Sequence, residues 1–128
     1  MPSKRRFLNP TTVGAVAFAF FVWGAWAYVV NRHSGSEAQA LRSGVTQGLY
    51  SGVMTFYMSF SVYFFWKKTA HLNLSSVLPT LATVGHTGAA LILVHFLNHT
   101  PNIAKTVAAP LTVATLYCLF LTRKFQYE

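Results

Sequence analysis

Two carboxylates and two mid-chain histidines bound the chemistry open to this chain. Glu37 and Glu128 are the only acids in 128 residues, and both fall outside the long apolar runs. No pair of acids is therefore placed for general acid–base work. No carboxylate stands inside an apolar run, where a proton-coupled exporter of cationic drugs would need one. Metal-ligand spacing, a phosphate loop and a nucleophile beside a base are all missing from the sequence, and the single cysteine rules out an intramolecular disulfide. The sequence predicts no catalytic residue, no metal and no cofactor, hence a protein that is not an enzyme. His86 lies near the middle of the third apolar run. A neutral imidazole there can bind a ligand or relay a proton, or make one structural hydrogen bond to a threonine or a carbonyl across a helix contact. His95 is nine positions further on, about 180° around a regular helix, so it does not share the His86 face. Its place at the end of the run predicts a structural, interfacial role.

The cations carry a second kind of chemistry. Ten Lys and Arg against two acids give a formal charge of +8, but they form no stripe on a polar face of the sort nucleic acid requires. Lys4, Arg5, Arg6, Lys67, Lys68, Arg123 and Lys124 punctuate the apolar runs instead, as groups held at a phospholipid surface do. The expected partner is an anionic or polyprenyl-phosphate lipid, with no nucleic acid. Arg42 and Lys105 fall at one membrane face and Lys67, Lys68, Arg123 and Lys124 at the other. Such positive groups can receive and release a lipid phosphate, Arg by bidentate contacts and Lys as a mobile point charge; snorkelling and topology alone also account for them. Gln47, Ser51 and Thr55 recur one turn apart and, with His86, are the candidates to line a passage for a polar head group.

The elements that must position these groups are helices. The chain is 53% hydrophobic and 9% charged, far from the roughly one quarter charged residues of ordinary soluble domains. Its central stretch, Gly44 to Trp66, has no formal charge and is flanked by Arg42 and by Lys67-Lys68. Apolar segments near 12–30, 44–66, 77–97 and 103–122 are each long enough for a hydrocarbon layer of ~30 Å. The expectation is an all-α, polytopic membrane protein, one domain over residues 1–128, with four transmembrane helices. The first segment reads as a retained span rather than a cleaved signal, since it is long and lacks a clear cleavage site. Displacing the second span by 57 positions pairs Thr55 with Thr112, Phe60 with Tyr117 and Lys67 with Lys124, a pattern in keeping with two successive helical hairpins.

Within the spans, Gly44, Gly48 and Gly52 make a small-residue stripe for close helix approach, Thr83 and Thr87 a second, and Thr112 marks a third. Pro110 removes a donor inside the fourth span and predicts a kink. The connector 31–42 is expected to hold a separate short surface helix from Glu37 to Leu41, and Ser75-Ser76 to cap the third span. Seven of the cations fall on the N-terminal side, so the positive-inside rule places both termini in the cytoplasm.

The segment Ala109 to Phe125, APLTVATLYCLFLTRKF, resembles the end of the GtrA-like family of small bacterial membrane proteins, in which a hydrophobic fourth helix ends in an Asn-rich, basic and aromatic pattern. Arg123, Lys124 and Phe125 match the basic-aromatic end; Cys118 and Thr122 stand where the family has asparagines. The resemblance implies translocation of a polyprenyl-phosphate-linked sugar across the bacterial inner membrane in polysaccharide biosynthesis, as a homodimer or beside an envelope glycosyltransferase. Arg42 and Arg123 would then contact phosphate. Two other functions fit the same residues: a non-catalytic accessory subunit held to an envelope enzyme or transporter by the small-residue stripes, and a small-solute transporter or channel.

Overall fold

The computed structural model describes residues 10–127, all in helices and short connectors. The helices are α1 (Pro10–Asn31), α2 (Glu37–Thr69), α3 (Leu78–Leu97) and α4 (Ile103–Tyr127). Three of them, α1, α3 and α4, are long and apolar enough to cross a membrane. With 33 residues α2 is the longest, but its glycines, serines and charged ends keep it below the apolar character of the others. The N-terminal cations Lys4, Arg5 and Arg6, and Glu128, lie outside the described residues.

One expectation is corrected at the start of α2. Residues 37–41 do not form a separate surface helix; they are the first turns of α2 itself. Ser36 Oγ accepts from the Gln39 N–H at 3.2 Å and the Gln39 side-chain oxygen accepts from the Ser36 N–H at 2.9 Å. This reciprocal box satisfies two donors at the helix end, so nothing stops the helix running on into the apolar stretch. The start of α3 differs as well. Its cap position is Val77, with no side-chain hydrogen bond, and Pro79 stands in the first turn, where its missing donor is not needed. Asn102 caps α4, its side-chain oxygen accepting from Lys105 N at 3.2 Å.

The end of α3 is a tight turn with a consequence for the site. Thr100 N–H reaches back to the His95 carbonyl at 3.0 Å and His99 N–H to that of Phe96 at 3.2 Å, the paired bonds that close a helix with a left-handed residue. That residue is His99, at φ 56°. A side chain there is strained where glycine is not, so His99→Gly is expected to stabilise the protein by about 0.5–1 kcal/mol, read as a raised denaturation midpoint. The turn folds Thr100 back over His95.

Successive helices pack antiparallel, with α2 in the middle and parallel to α4. Against α1 the contact is backbone to backbone. A Cβ on Gly24 would lie 3.0 Å from the Gly44 carbonyl oxygen, one on Gly44 3.0 Å from that of Gly24, and one on Gly48 2.8 Å from that of Phe20. Gly52 faces Val16 with slightly more room. Against α3 the contact is polar and small: Ser61 Oγ and Thr83 Oγ1 are 2.9 Å apart, and Tyr50 donates its hydroxyl to the Thr87 carbonyl. Val62 on α2 packs with Cys118, Leu121 and Phe125 of α4 in the apolar core. Phe125 explains why α4 runs on past residue 122.

Candidate functional site

Two buried polar clusters sit toward the end of the bundle that carries the connectors 32–36 and 98–102. The first fastens α1 to α4. Asn31, wholly buried, donates from Nδ2 to the Ala27 carbonyl and to Thr106 Oγ1, both at 2.7 Å, and its Oδ1 accepts from Asn102 N at 2.8 Å. Thr106 in turn donates to the Asn102 carbonyl at 2.6 Å. Beside it, the Trp26 indole N–H donates to the Lys105 carbonyl at 3.2 Å. In an apolar surround each unmet donor is expensive, so this clasp closes because its groups have no better partner.

The second cluster ties α2 to α3. His95 is wholly buried, with Nε2 at 2.7 Å from Gln47 Oε1 and Nδ1 at 2.7 Å from Thr100 Oγ1. Gln47 Nε2 donates to Ser51 Oγ at 2.8 Å. Ser43 Oγ stands 3.2 Å from Thr100 Oγ1 and 2.8 Å from the Gln39 carbonyl. With the amide oxygen facing the ring, His95 carries its proton on Nε2 and accepts from the Thr100 hydroxyl. His95 thus sits inside the bundle rather than at an interface with solvent.

Between α1, α2 and α4 lies a cavity of about 450 Å³. Its walls are apolar: Phe18 and Trp23 from α1, Met54 and Met58 from α2, Pro110 and Tyr117 from α4. Phe18 is 68% exposed and Tyr117 38%, so the cavity is a cleft whose mouth opens sideways between α1 and α4. It can do so because the Asn31 clasp holds these two helices together only at the other end. The register of the glycine seam places the cleft from the level of Trp23 and Gln47 to that of Gly14 and Met58, around the middle of the bundle.

Gln47, Ser51 and Thr55 line this cleft, and so do Tyr50 and Thr87. Most of their donors are turned inward. Thr55 donates to the Ser51 carbonyl at 2.7 Å and Thr87 to that of Thr83 at 2.7 Å. His86 is not in the cleft. It is exposed on the outer face of α2 and α3, with Nε2 at 2.9 Å from the Tyr57 hydroxyl and Nδ1 at 2.6 Å from the Ala82 carbonyl. Gly44, Gly48 and Gly52 lie in the seam with α1, and Thr83 and Thr87 are buried toward α2. Thr112 is exposed and donates to its own Ala108 carbonyl at 2.8 Å, so it joins no packed face. Pro110 is buried within a helix that continues on both sides of it.

Among the described residues the cations divide between the two ends and all are exposed. Arg42 and Lys105 stand near the starts of α2 and α4. At the other end Phe125 packs on Tyr63 and Trp66, ring centroids 5.2 and 6.1 Å apart, which brings Lys67-Lys68 to the same end as Arg123-Lys124. Lys67 Nζ lies 5.7 Å from the Tyr63 ring and Lys68 Nζ 5.6 Å from that of Phe64. Among the described residues no three His, Cys, Asp or Glu side chains gather as metal ligands do. Compared with protein-family models, curated proteins and solved structures, the chain matches none.

Proposed function

We propose that α2 crosses the membrane alongside the other three helices, and that the bundle carries a polyprenyl-phosphate-linked sugar between the leaflets of the bacterial inner membrane, with both termini cytoplasmic. In support, α2 at about 1.5 Å per residue is longer than the ~30 Å hydrocarbon layer and runs antiparallel between helices that are themselves apolar enough to span. The observation that carries the lipid reading is the sideways cleft. Its volume of about 450 Å³ falls within the ~300–1,000 Å³ of small-ligand sites, and its apolar walls suit a prenyl chain entering from the bilayer. The phosphate stays at the cationic rim of Lys67, Lys68, Arg123 and Lys124, and at Arg42 and Lys105 once across. The resemblance of residues 109–125 to the GtrA-like family points the same way.

Transbilayer movement of a panel of polyprenyl-phosphate sugars in oriented proteoliposomes tests this. Charge-assisted contacts to phosphate predict that Arg123→Ala and Arg42→Ala each slow movement about ten-fold in folded protein. No movement of any such lipid by the intact protein would overturn the proposal.

A second function, an accessory subunit in contact with an envelope glycosyltransferase or another copy of the chain, is favoured by one observation. The His86–Tyr57 pair is exposed on a helix face otherwise suited to lipid, next to Gly85, around which there is open space. A partner helix there would cover a polar pair that otherwise faces outward. Stoichiometric co-purification with one membrane partner, lost in Gly85→Leu, distinguishes this function from transport by the chain alone.

A further inference from the structure

One exposed hydroxyl of the cleft wall lacks a settled acceptor. Tyr117 lines the cleft from α4 and is 38% exposed. Its Oη stands 3.3 Å from Ser59 Oγ on α2, beyond the about 2.5–3.0 Å of a well-formed O–H···O bond. Two hydroxyls carry two protons and this contact uses one. Among the described residues neither oxygen has another partner. The other cleft hydroxyls differ. Those of Tyr50, Thr55 and Thr87 donate to backbone carbonyls, and Ser51, 8% exposed, is bonded to the Gln47 amide. Ser59 itself is not part of the cleft wall. An O–H left unmet against hydrocarbon is costly, so the polar demand at the mouth of the cleft is for an acceptor.

The position of Tyr117 limits what that acceptor can be. The cleft extends along α2 from Gln47 to Met58, about 16 Å of helix, and Tyr117 lies at its Met58 end, beside Ser59. From Ser59 to Lys67 is about 12 Å of helix, and from Tyr117 to Arg123 about 9 Å. A head group held by the cations at that end therefore stays clear of the hydroxyl. An anionic oxygen at the hydroxyl does not fit either, because no Lys or Arg lines the cleft and an unpaired charge in such surroundings is strongly disfavoured. We infer that Tyr117 is a recognition point for an uncharged lipid carbonyl, such as the ester of a long-chain fatty acid, with the chain lying in the cleft and running from Tyr117 toward Trp23. The inference rests on the cleft taking a chain from the bilayer, as proposed above. It is independent of the movement of any sugar.

The test uses the full chain in nanodiscs of ether-linked phospholipid, which brings no ester carbonyl of its own. The probes are a fatty-acid methyl ester with an isotope-labelled carbonyl and a bromine at the chain end, and the brominated hydrocarbon of equal length. Bromine quenching of Trp23, which lines the cleft, reports occupancy, and its loss in Trp23→Phe assigns the signal. At equal mole fraction in the bilayer the ester is expected to bind about five-fold more tightly than the hydrocarbon, the worth of one net hydrogen bond. Its carbonyl stretch should fall in frequency relative to ester in protein-free nanodiscs. Tyr117→Phe should bring the two affinities together and abolish the frequency shift. Ser59→Ala loses the same interhelix contact but leaves the Tyr117 hydroxyl, so it should keep both the preference and the shift. Equal loss in the two variants would reduce the pair to an interhelix bond and overturn the inference. Equal binding of both probes with an unshifted carbonyl overturns it too and leaves the chain-binding cleft standing. Binding of neither overturns the cleft itself. The comparison of probes in the unaltered protein decides the matter even where a variant fails to fold.

Discussion

Gly48→Leu is expected to separate α1 from α2 and to destabilise the protein by about 3 kcal/mol or more. The added Cβ alone would stand 2.8 Å from the Phe20 carbonyl oxygen. Because that neighbour is backbone, no rotamer change can make room, and the whole of α1 must move. The effect is graded along the seam. Gly44→Ala, whose Cβ would lie 3.0 Å from the Gly24 oxygen, should lose less than Gly48→Ala, while Gly52→Ala, with its nearest neighbour at 3.5 Å, should be tolerated. Gly14→Ala is the control. Nothing lies within 4 Å of its Cβ, so replacing a helical glycine there should gain up to ~1 kcal/mol. Denaturant titrations of the four variants in one detergent check the order; equal losses at all four positions would refute a backbone seam.

Asn31→Leu carries the second large effect. The replacement is similar in size and removes both donors and the acceptor of the clasp, leaving the Asn102 N–H without its partner at 2.8 Å. Individual hydrogen bonds in membrane proteins average under about 1 kcal/mol, but several are lost together and a buried donor is stranded, so about 2–3 kcal/mol is expected. The loss should localise to the ends of α1 and α4. Faster amide exchange at Lys105 and Thr106, with exchange in the α2–α3 contact unchanged, is the measurement. Uniform loosening of the bundle would show instead that the clasp has no separate standing.

Much of this architecture is legible in sequence, for a reason that also marks its limit. Regular spacing shows which residues share a helix face, so the glycines of α2 and the threonines of α3 stand out. It does not show which face meets which. His86 draws attention by its mid-span position, yet packing turns it outward; His95, near a helix end, is the one enclosed, because the turn at His99 folds Thr100 over it and Gln47 arrives from α2. The clasp depends on Asn31, Asn102 and Thr106, which read individually as loop polarity and a helix cap and acquire their shared role only when α1 and α4 meet. The continuous start of α2 is different. Its signal, Ser36 followed by Gln39, is present in the sequence and outweighs the hydrophilic composition that suggests a break.

Because Gln47 and Ser51 sit one turn apart on a single helix, they can bond to each other as soon as α2 forms. During synthesis α1 and α2 emerge first and can close their glycine seam before α3 exists. In that interval Gln47 would be a polar side chain whose eventual partner, His95, is still to be made. Ser51 shelters it until then, and the arrival of α3 exchanges a temporary arrangement for a permanent one. The order of assembly is thus written into the spacing of two residues.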